Sequence, residues 1–416
     1  MKINKNRHPF SRLIGRTISV PQIDWKYFIK NSFWVGIRQI ITLAVGLLVS
    51  VAFTRLVTKE LYGNYELILS ILSLISITAI SGLNPAIIRA VARGYEGGYP
   101  KAVKISFLWS FLGSAIVFII GGFYFFYQSE VVGIVLLASS IFFPFLYGLS
   151  HWEAFFSGQE RFDLATKFSA LQTIISGLAT AFVIFLFPDK LIIIALAHFL
   201  LSSGFNILFY KKSLFFLKNR KIEKGTISYG YFLTKINVLS MVANHLDKII
   251  VGVFLGPQEL AIYAIGVNFS KKILDLIKSF FSIATPKIAK KNTVNKQNYF
   301  KIFALFSVFG IGAYFISPPI ILFLFSESYS NSIILSQIVF LFMPFYALNL
   351  LYKNHILFYL KNEKTLLLES IIFPLIIILL TPPLLYFFKI KGLAFIFGAR
   401  SAISLVALYL LQRRSK

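Results

Sequence analysis

Two charged stripes inside otherwise apolar segments pose the chemical question. In "NVLSMVANHLDKIIVGVFLG", from Asn237 to Gly256, the residues Asn237, Ser240, Asn244 and Asp247 follow at helical spacing, so they share one face with Lys248 beside them. Farther on, Asn268, Lys271, Asp275, Lys278 and Ser282 form a second stripe, flanked by Lys272. Lys271, Lys272 and Lys278 all lie within one helical turn of Asp275, which leaves net positive charge after pairing. An ionised side chain near the middle of a membrane helix costs about 2.5 to 3.5 kcal/mol on insertion scales, so these groups are expected to face the protein interior or a wet cavity. Such a helix should line water, with cations in excess.

A thinner stripe runs along the first apolar segment, where Arg38, Thr42, Gly46, Ser50 and Thr54 recur every four residues, and the next segment adds Glu66, Ser70 and Ser73. Lys235 and Arg400 complete the cations within apolar segments. Plainer readings stand beside these. Arg38, Lys235 and Lys278 lie near segment ends and could snorkel to the interface. Asp247 with Lys248 could be a self-neutralising feature that links helices, although consecutive helical residues point about 100° apart and need not pair with each other. His151, Trp152 and Glu153 read as an interfacial cap near the inner end of the fourth segment.

The chain of 416 residues is 57% hydrophobic and 17% aromatic, with a mean hydropathy of +0.76, outside the range of soluble proteins. An all-α integral membrane protein is therefore expected. Apolar runs long enough to cross the ~30 Å hydrocarbon core at ~1.5 Å per residue predict twelve transmembrane helices. These are Phe33 to Phe53, Tyr65 to Ile88, Ile105 to Tyr127, Val131 to Phe156, Phe168 to Phe187, Leu191 to Phe209, Gly230 to Leu255, Ala261 to Ala284, Ile302 to Phe325, Ile334 to Leu357, Leu366 to Phe387 and Leu393 to Leu411.

The net charge of +26 concentrates in alternate connections. The N-terminal tail, the second, the sixth ("YKKSLFFLKNRKIEKG") and the eighth connections are rich in Lys and Arg, whereas the odd-numbered ones are poor. By the positive-inside bias both termini are expected to be cytoplasmic. The basicity is then a topology signal with some attraction to anionic lipid, and nucleic acid is not an expected partner. Residues 1–32 lack a signal-peptide pattern and, with Phe10, Leu13, Ile14, Trp25 and Phe28 among basic residues, suggest an interfacial cytoplasmic segment. With no cysteine, disulfides, thiol chemistry and Cys-ligated metals are excluded. No HExxH, P-loop or G-x-S-x-G occurs and the five histidines are scattered, so neither an enzyme nor a resident cofactor or metal is expected.

The sixth connection falls at the middle of the chain. Two six-helix lobes are expected, 33–210 and 228–412, joined by a basic cytoplasmic linker 211–227 and followed by a short tail, 413–416. An internal similarity agrees: "FTRLVTKELYGNYELILSI" from Phe53 aligns without gaps to "VGVFLGPQELAIYAIGVNF" from Val251, setting Tyr65 against Tyr263. Parallel repeats of this kind place a transporter's binding site between the lobes.

Three stretches carry a family resemblance. "TRLVTKELYGNYELILSILSLI" from Thr54, "SGLNPAIIRAVARGYE" from Ser81, and "NHLDKIIVGVFLGPQELAIYAIGVNF" through "TPKIAKK" from Thr285 resemble the Wzx-type polysaccharide or O-antigen repeat-unit flippases of the multidrug/oligosaccharidyl-lipid/polysaccharide exporter (MOP) superfamily. The resemblance implies a MATE-like fold, two six-helix lobes around a central cavity in the bacterial inner membrane. It implies transport of an undecaprenyl-pyrophosphate-linked oligosaccharide from the cytoplasmic to the outer leaflet, with membrane lipids and other polysaccharide-assembly membrane proteins as further partners. On that reading Arg38, Lys248, Lys271, Lys272, Lys278 and Arg400 contact the pyrophosphate. Asp247 and Asp275 hold the cations or bind a coupling ion, Na+ or H+, and Asn237, Asn244 and Asn268 line the cavity. A multidrug antiporter of organic cations would need excess acid instead. Lipid II flippases usually carry two additional C-terminal spans, and a membrane-embedded polymerase or glycosyltransferase would need a sizeable external loop.

Overall fold

The computed structural model describes residues 25–290, 296–356 and 363–414. The N-terminal interfacial segment, with Phe10, Leu13 and Ile14, lies outside the described residues as far as residue 24, and the chain is helical from Trp25. All described secondary structure is helical. In chain order the α-helices are α1 (Trp25–Leu56), α2 (Lys59–Ile75), α3 (Leu83–Ala92), α4 (Gly98–Tyr127), α5 (Glu130–Phe143), α6 (Trp152–Gly158), α7 (Phe162–Leu186) and α8 (Leu191–Leu214). The second half adds α9 (Thr226–Phe254), α10 (Pro257–Lys290), α11 (Lys296–Phe325), α12 (Asn331–Leu341), α13 (Met343–Asn354) and α14 (Glu363–Arg414).

Local chemistry sets the short turns between the long helices. Thr58 caps α2 by accepting from the Leu61 amide at 3.3 Å, with Glu60 in the first turn facing the positive end of the helix dipole. Ser129 caps α5 in the same way, followed by Glu130. Between α9 and α10, Gly256 takes the left-handed conformation (φ +90°) that stops one helix, and Pro257 opens the next. The α1–α2 and α9–α10 turns match in register: Leu56 corresponds to Phe254 and Lys59 to Pro257, as the alignment of Tyr65 with Tyr263 requires.

Nine stretches of helix are long and apolar enough to cross a membrane among the described residues, or ten if α12 and α13, bent by 43° at their junction, form one span. Their outward faces carry exposed Phe126, Phe254 and Phe323, each more than 70% exposed, which only lipid can cover at low cost. The chain is a multi-pass membrane protein. Helix α10 falls outside that set because Lys271, Lys272, Asp275 and Lys278 crowd one window. Helix α14 would be about 78 Å long if straight, over twice the ~30 Å core. It breaks at Lys389 (φ 49°, ψ −139°), where Gly392 lies so close to the Leu384 carbonyl oxygen that a Cβ would stand 2.5 Å from it.

Three expectations change. The second span is not one continuous helix to Ile88: a 3-10 turn over Ser76–Ala79 and a left-handed Ile80 (φ 56°) separate α2 from α3. The fourth span is likewise interrupted by a π turn at Pro144–Gly148. His151 is not an interfacial cap; it is 2% exposed and ties these two breaks together. Its Nδ1 meets Asn84 Oδ1 at 2.6 Å and its Nε2 meets Ser106 Oγ at 2.7 Å, while Ser106 donates to the Ala79 carbonyl at 2.5 Å. The helical periodicity is satisfied on either side of each break, so sequence pattern alone reads through them.

Packing follows chain halves, with α1 against α7, α4 against α5, α9 against α14 and α10 against α12. Across the halves α2 packs on α9 and α10, and α3 on α9. At one end of this seam, Gly63 of α2 sits on the Pro257 backbone, and an added Cβ would stand 1.8 Å from the carbonyl oxygen. Gly63→Ala is therefore expected to destabilise the protein by about 1–3 kcal/mol through overpacking, read as a lower melting temperature in detergent. Gly122→Ala, with nothing within 4 Å of its Cβ position, should leave it unchanged; equal behaviour of the two variants would contradict this close approach.

Candidate functional site

The seam between α2, α9 and α10 holds a cluster of ionised side chains. Glu66, the one acid on the inward face of α2, lies about 10 Å from the start of its helix. Its Oε2 accepts from Lys248 Nζ of α9 at 2.7 Å, and its Oε1 accepts from Tyr62 at 3.1 Å and Asn268 of α10 at 3.3 Å. Lys272 of α10 reaches across the same seam, its Nζ 3.4 Å from where a Cβ on Gly46 of α1 would stand. A larger residue than Gly46 would displace that ammonium. Four helices thus converge on one carboxylate and two lysines.

Asp247 and Lys248 do not pair through their side chains. The roughly 100° between neighbours sends Lys248 to α2 and Asp247, 3% exposed, the other way. Tyr263 of α10 donates to Asp247 Oδ2 at 2.8 Å, and Arg400 of α14 stands 3.5 Å from the same oxygen. Arg400 also donates to the Ala243 carbonyl at 2.6 Å, reaches Asn244 Oδ1 at 3.4 Å and lies over the Phe397 ring at 5.0 Å, leaving its Nε buried without a partner. An unfilled guanidinium donor is the kind of group an anion completes.

Beside Arg400 opens a chamber of about 300 Å³ in the second half. Asn244, His245, Lys271, Asp275, Tyr346 and Arg400 line it, and Asp275 is close enough to Lys271 for their charges to interact. A second chamber of about 390 Å³ opens in the first half, on the other side of Glu66 and Gly46. Among the described residues no three His, Cys, Asp or Glu side chains converge as a metal site.

Lys248, Lys271, Lys272 and Arg400 are thus brought together with Glu66, Asp247, Asp275, Asn244 and Asn268. Other expected residues stand apart. Arg38 pairs with Glu153, on α6 of its own half, with both groups partly exposed. Lys278 and Asn237 are exposed on α10 and α9. Glu66 was visible in the sequence only as one polar residue on a stripe with Ser70 and Ser73. Tyr62, Tyr263, His245 and Tyr346 were not among the expected site residues, because an aromatic side chain in an apolar helix carries no sign of where its polar atom points.

The profile of a family described as "Polysaccharide biosynthesis protein" matches residues 28–292. No curated protein matches the sequence. Among solved structures, the lipid II flippase MurJ in an inward closed conformation superposes with a TM-score of 0.66 at 16% identity, covering 92% of this chain and 87% of MurJ. An inward-facing multidrug resistance MATE family transporter of the MOP superfamily gives 0.63 at 14% identity, covering 91% and 98%. A MOP superfamily transporter from Pyrococcus furiosus, described by the reverse polarity of its binding pocket, gives 0.60 at 13% identity, covering 92% and 95%. The fold is that of the MOP superfamily.

Removing one partner of the Glu66 and Lys248 pair strands the other in a poorly solvated seam. Lys248→Met is expected to cost about 3 kcal/mol, and the double variant Glu66→Gln/Lys248→Met to recover more than half of the lost melting temperature. A double variant no more stable than Lys248→Met would mean that the two side chains are not energetically coupled.

Proposed function

This chain belongs to the polysaccharide biosynthesis protein family, and from that premise we propose that it is a flippase for a lipid-linked oligosaccharide. It carries an undecaprenyl pyrophosphate bearing a glycan repeat unit from the cytoplasmic to the outer leaflet of the bacterial inner membrane, by alternating access. The observation that carries the reading is the sign of the charge at the seam. Lys248, Lys271, Lys272 and Arg400 outnumber Glu66, Asp247 and Asp275, so pairing leaves a positive site, with a buried guanidinium donor unfilled. A pyrophosphate fits such a site; an organic cation, the cargo of a multidrug antiporter, would be repelled.

On this reading the chain crosses the membrane twelve times with both termini cytoplasmic. The charged helix α10 counts as a span because Lys271 and Lys272 face the cleft, and α14 counts as two because it turns back at Lys389. Residues 33–210 and 228–412 act as the two lobes. The linker 211–227 travels with the first lobe: buried Glu96 accepts from the Lys218 amide at 2.5 Å and from Gln159 at 2.9 Å, and Glu223 pairs with Arg89 and Arg93.

The mechanism is an exchange of partners. With no substrate in the cleft, Glu66 of one lobe neutralises Lys248 of the other and holds the seam together. A pyrophosphate arriving beside Lys271 and Lys272 competes with Glu66 for the lysines, which weakens the bridge between α2 and α9 only when cargo is present. Occupancy is thereby linked to separation of the lobes at that end, as differential affinity for the two states requires. Asp247 keeps Arg400 oriented through both states, since its partners all lie on α9, α10 and α14.

Cells depleted of this protein are expected to accumulate intact lipid-linked repeat units on the cytoplasmic face. Wild type should clear them, and Lys271→Ala/Lys272→Ala at equal expression should clear them at least about tenfold more slowly, the loss of two charge-assisted contacts. Unchanged translocation in the depleted cells would overturn the assignment.

A further inference from the structure

The chamber in the first half carries a different chemistry from the cationic one, and we infer that it is the subsite for a sugar ring of the glycan, separate from the site for the pyrophosphate. The inference rests on the flippase reading and adds where the glycan is held. At about 390 Å³ the chamber falls within the range of small-molecule sites, about 300–1,000 Å³. Thr42 of α1, Gln172, Thr173 and Ser176 of α7, and His198 and Ser202 of α8 face it. These groups are uncharged, and together they offer both donors and acceptors. Ser176 is 6% exposed and its hydroxyl has no partner, although burying a hydroxyl unpaired is costly. Phe53 and Tyr65, with ring centroids 4.6 Å apart, supply an aromatic wall beside them.

The lining discriminates between possible occupants. A prenyl tail would leave the buried Ser176 hydroxyl unpaired. A bare cation needs net negative charge, but the carboxylate at the rim, Glu66, already faces Lys248 at 2.7 Å and lies within range of Lys272, so the local charge is positive. A phosphate would favour the lysines across the rim over neutral hydroxyls. What remains is a neutral or anionic polyol: its hydroxyls match the polar wall and its C–H face matches the rings.

Position supports the same division. The gapless alignment that sets Tyr65 against Tyr263 also sets Gly46 against Asn244, Ser50 against Lys248, Ser73 against Lys271 and Leu74 against Lys272. At three of these four places the first half carries a small or hydroxyl side chain where the second carries charge or amide, and at the fourth it carries Leu74. Lys272 touches the chamber rim at Gly46, so a pyrophosphate held by Lys272 would put the sugar bonded to it at the mouth of the hydroxyl-lined chamber.

The test uses the full chain in nanodiscs and measures affinity for farnesyl diphosphate and for farnesyl diphosphate linked to glucose, galactose, N-acetylglucosamine or N-acetylgalactosamine. At least one glycosylated probe is expected to bind more tightly than farnesyl diphosphate. Thr173→Val/Ser176→Ala, which keeps volume while removing two hydroxyls, should remove about tenfold of that affinity and leave farnesyl diphosphate binding unchanged. Lys271→Ala/Lys272→Ala should weaken every probe. If farnesyl diphosphate binds in a lysine-dependent way but no sugar adds affinity, or the added affinity survives Thr173→Val/Ser176→Ala, the subsite is wrong while the flippase reading stands. A sodium-dependent rise in melting temperature abolished by Thr173→Val/Ser176→Ala would likewise overturn it in favour of a cation. Failure of farnesyl diphosphate to bind at all would remove both.

Discussion

The contact between Glu66 and Lys248 is the constraint around which the seam is arranged. Neither charge is tolerable alone at that depth, where desolvation is only partly offset by water. Once paired, they fix α2 against α9, and the remaining valences of the carboxylate recruit Tyr62 and Asn268. Helix α10 then lies with Lys272 pressed toward Gly46 of α1, and the small residues of the seam become necessary: Gly63 under Pro257, Gly252 against Leu67, Gly230 against Leu83. Close backbone approach and charge pairing are two aspects of one arrangement, since an ion pair this short across helices requires that little side-chain bulk intervene.

The same arrangement separates two kinds of polar space. Toward the second half the acids hold cations in place, Asp247 on Arg400 and Asp275 near Lys271, and one buried guanidinium nitrogen stays unpaired. Toward the first half charge gives way to hydroxyls. Lipid-linked glycans have this division built in, a charged linkage joined to neutral polyol rings, and a cavity serving both must offer both chemistries side by side without letting the cations pair away. The breaks in the second and fourth spans, tied by His151, Ser106 and Asn84, keep the first half's helices irregular where their backbone polar groups can be satisfied by side chains, as membrane interiors demand.

Much of this was legible in the chain. The apolar runs describe an all-helical, multi-pass membrane protein. The repeat from Phe53 and Val251 anticipated the matching register of the α1–α2 and α9–α10 turns, because turn chemistry is local: a cap, a glycine, a proline. The stripe of Asn268, Lys271 and Asp275 marked the face of α10 that meets Glu66 and the chamber of the second half. The helix breaks were not legible, since residues on each side keep helical periodicity and side chains distant in sequence hold them: His151 with Asn84 and Ser106, and Asn206 on the Phe145 and Leu146 carbonyls. Nor was the pairing of Arg38 with Glu153, which are separated by 115 positions.

What the sequence by itself determined is periodicity and charge: which residues share a helical face, how many apolar runs there are, where basic connections fall, and that cations outnumber acids. Those are properties of short stretches, set by 3.6 residues per turn and the cost of charge in hydrocarbon. Only the tertiary structure decided partnership. Asp247 and Lys248 stand side by side in the chain and bind in opposite directions, one to Tyr263 and Arg400, the other to Glu66, 182 positions away. A stripe states which way a side chain leaves its helix, but whether it meets an acid, a glycine or open space depends on the helix brought against it, and that choice is made by packing across the two halves.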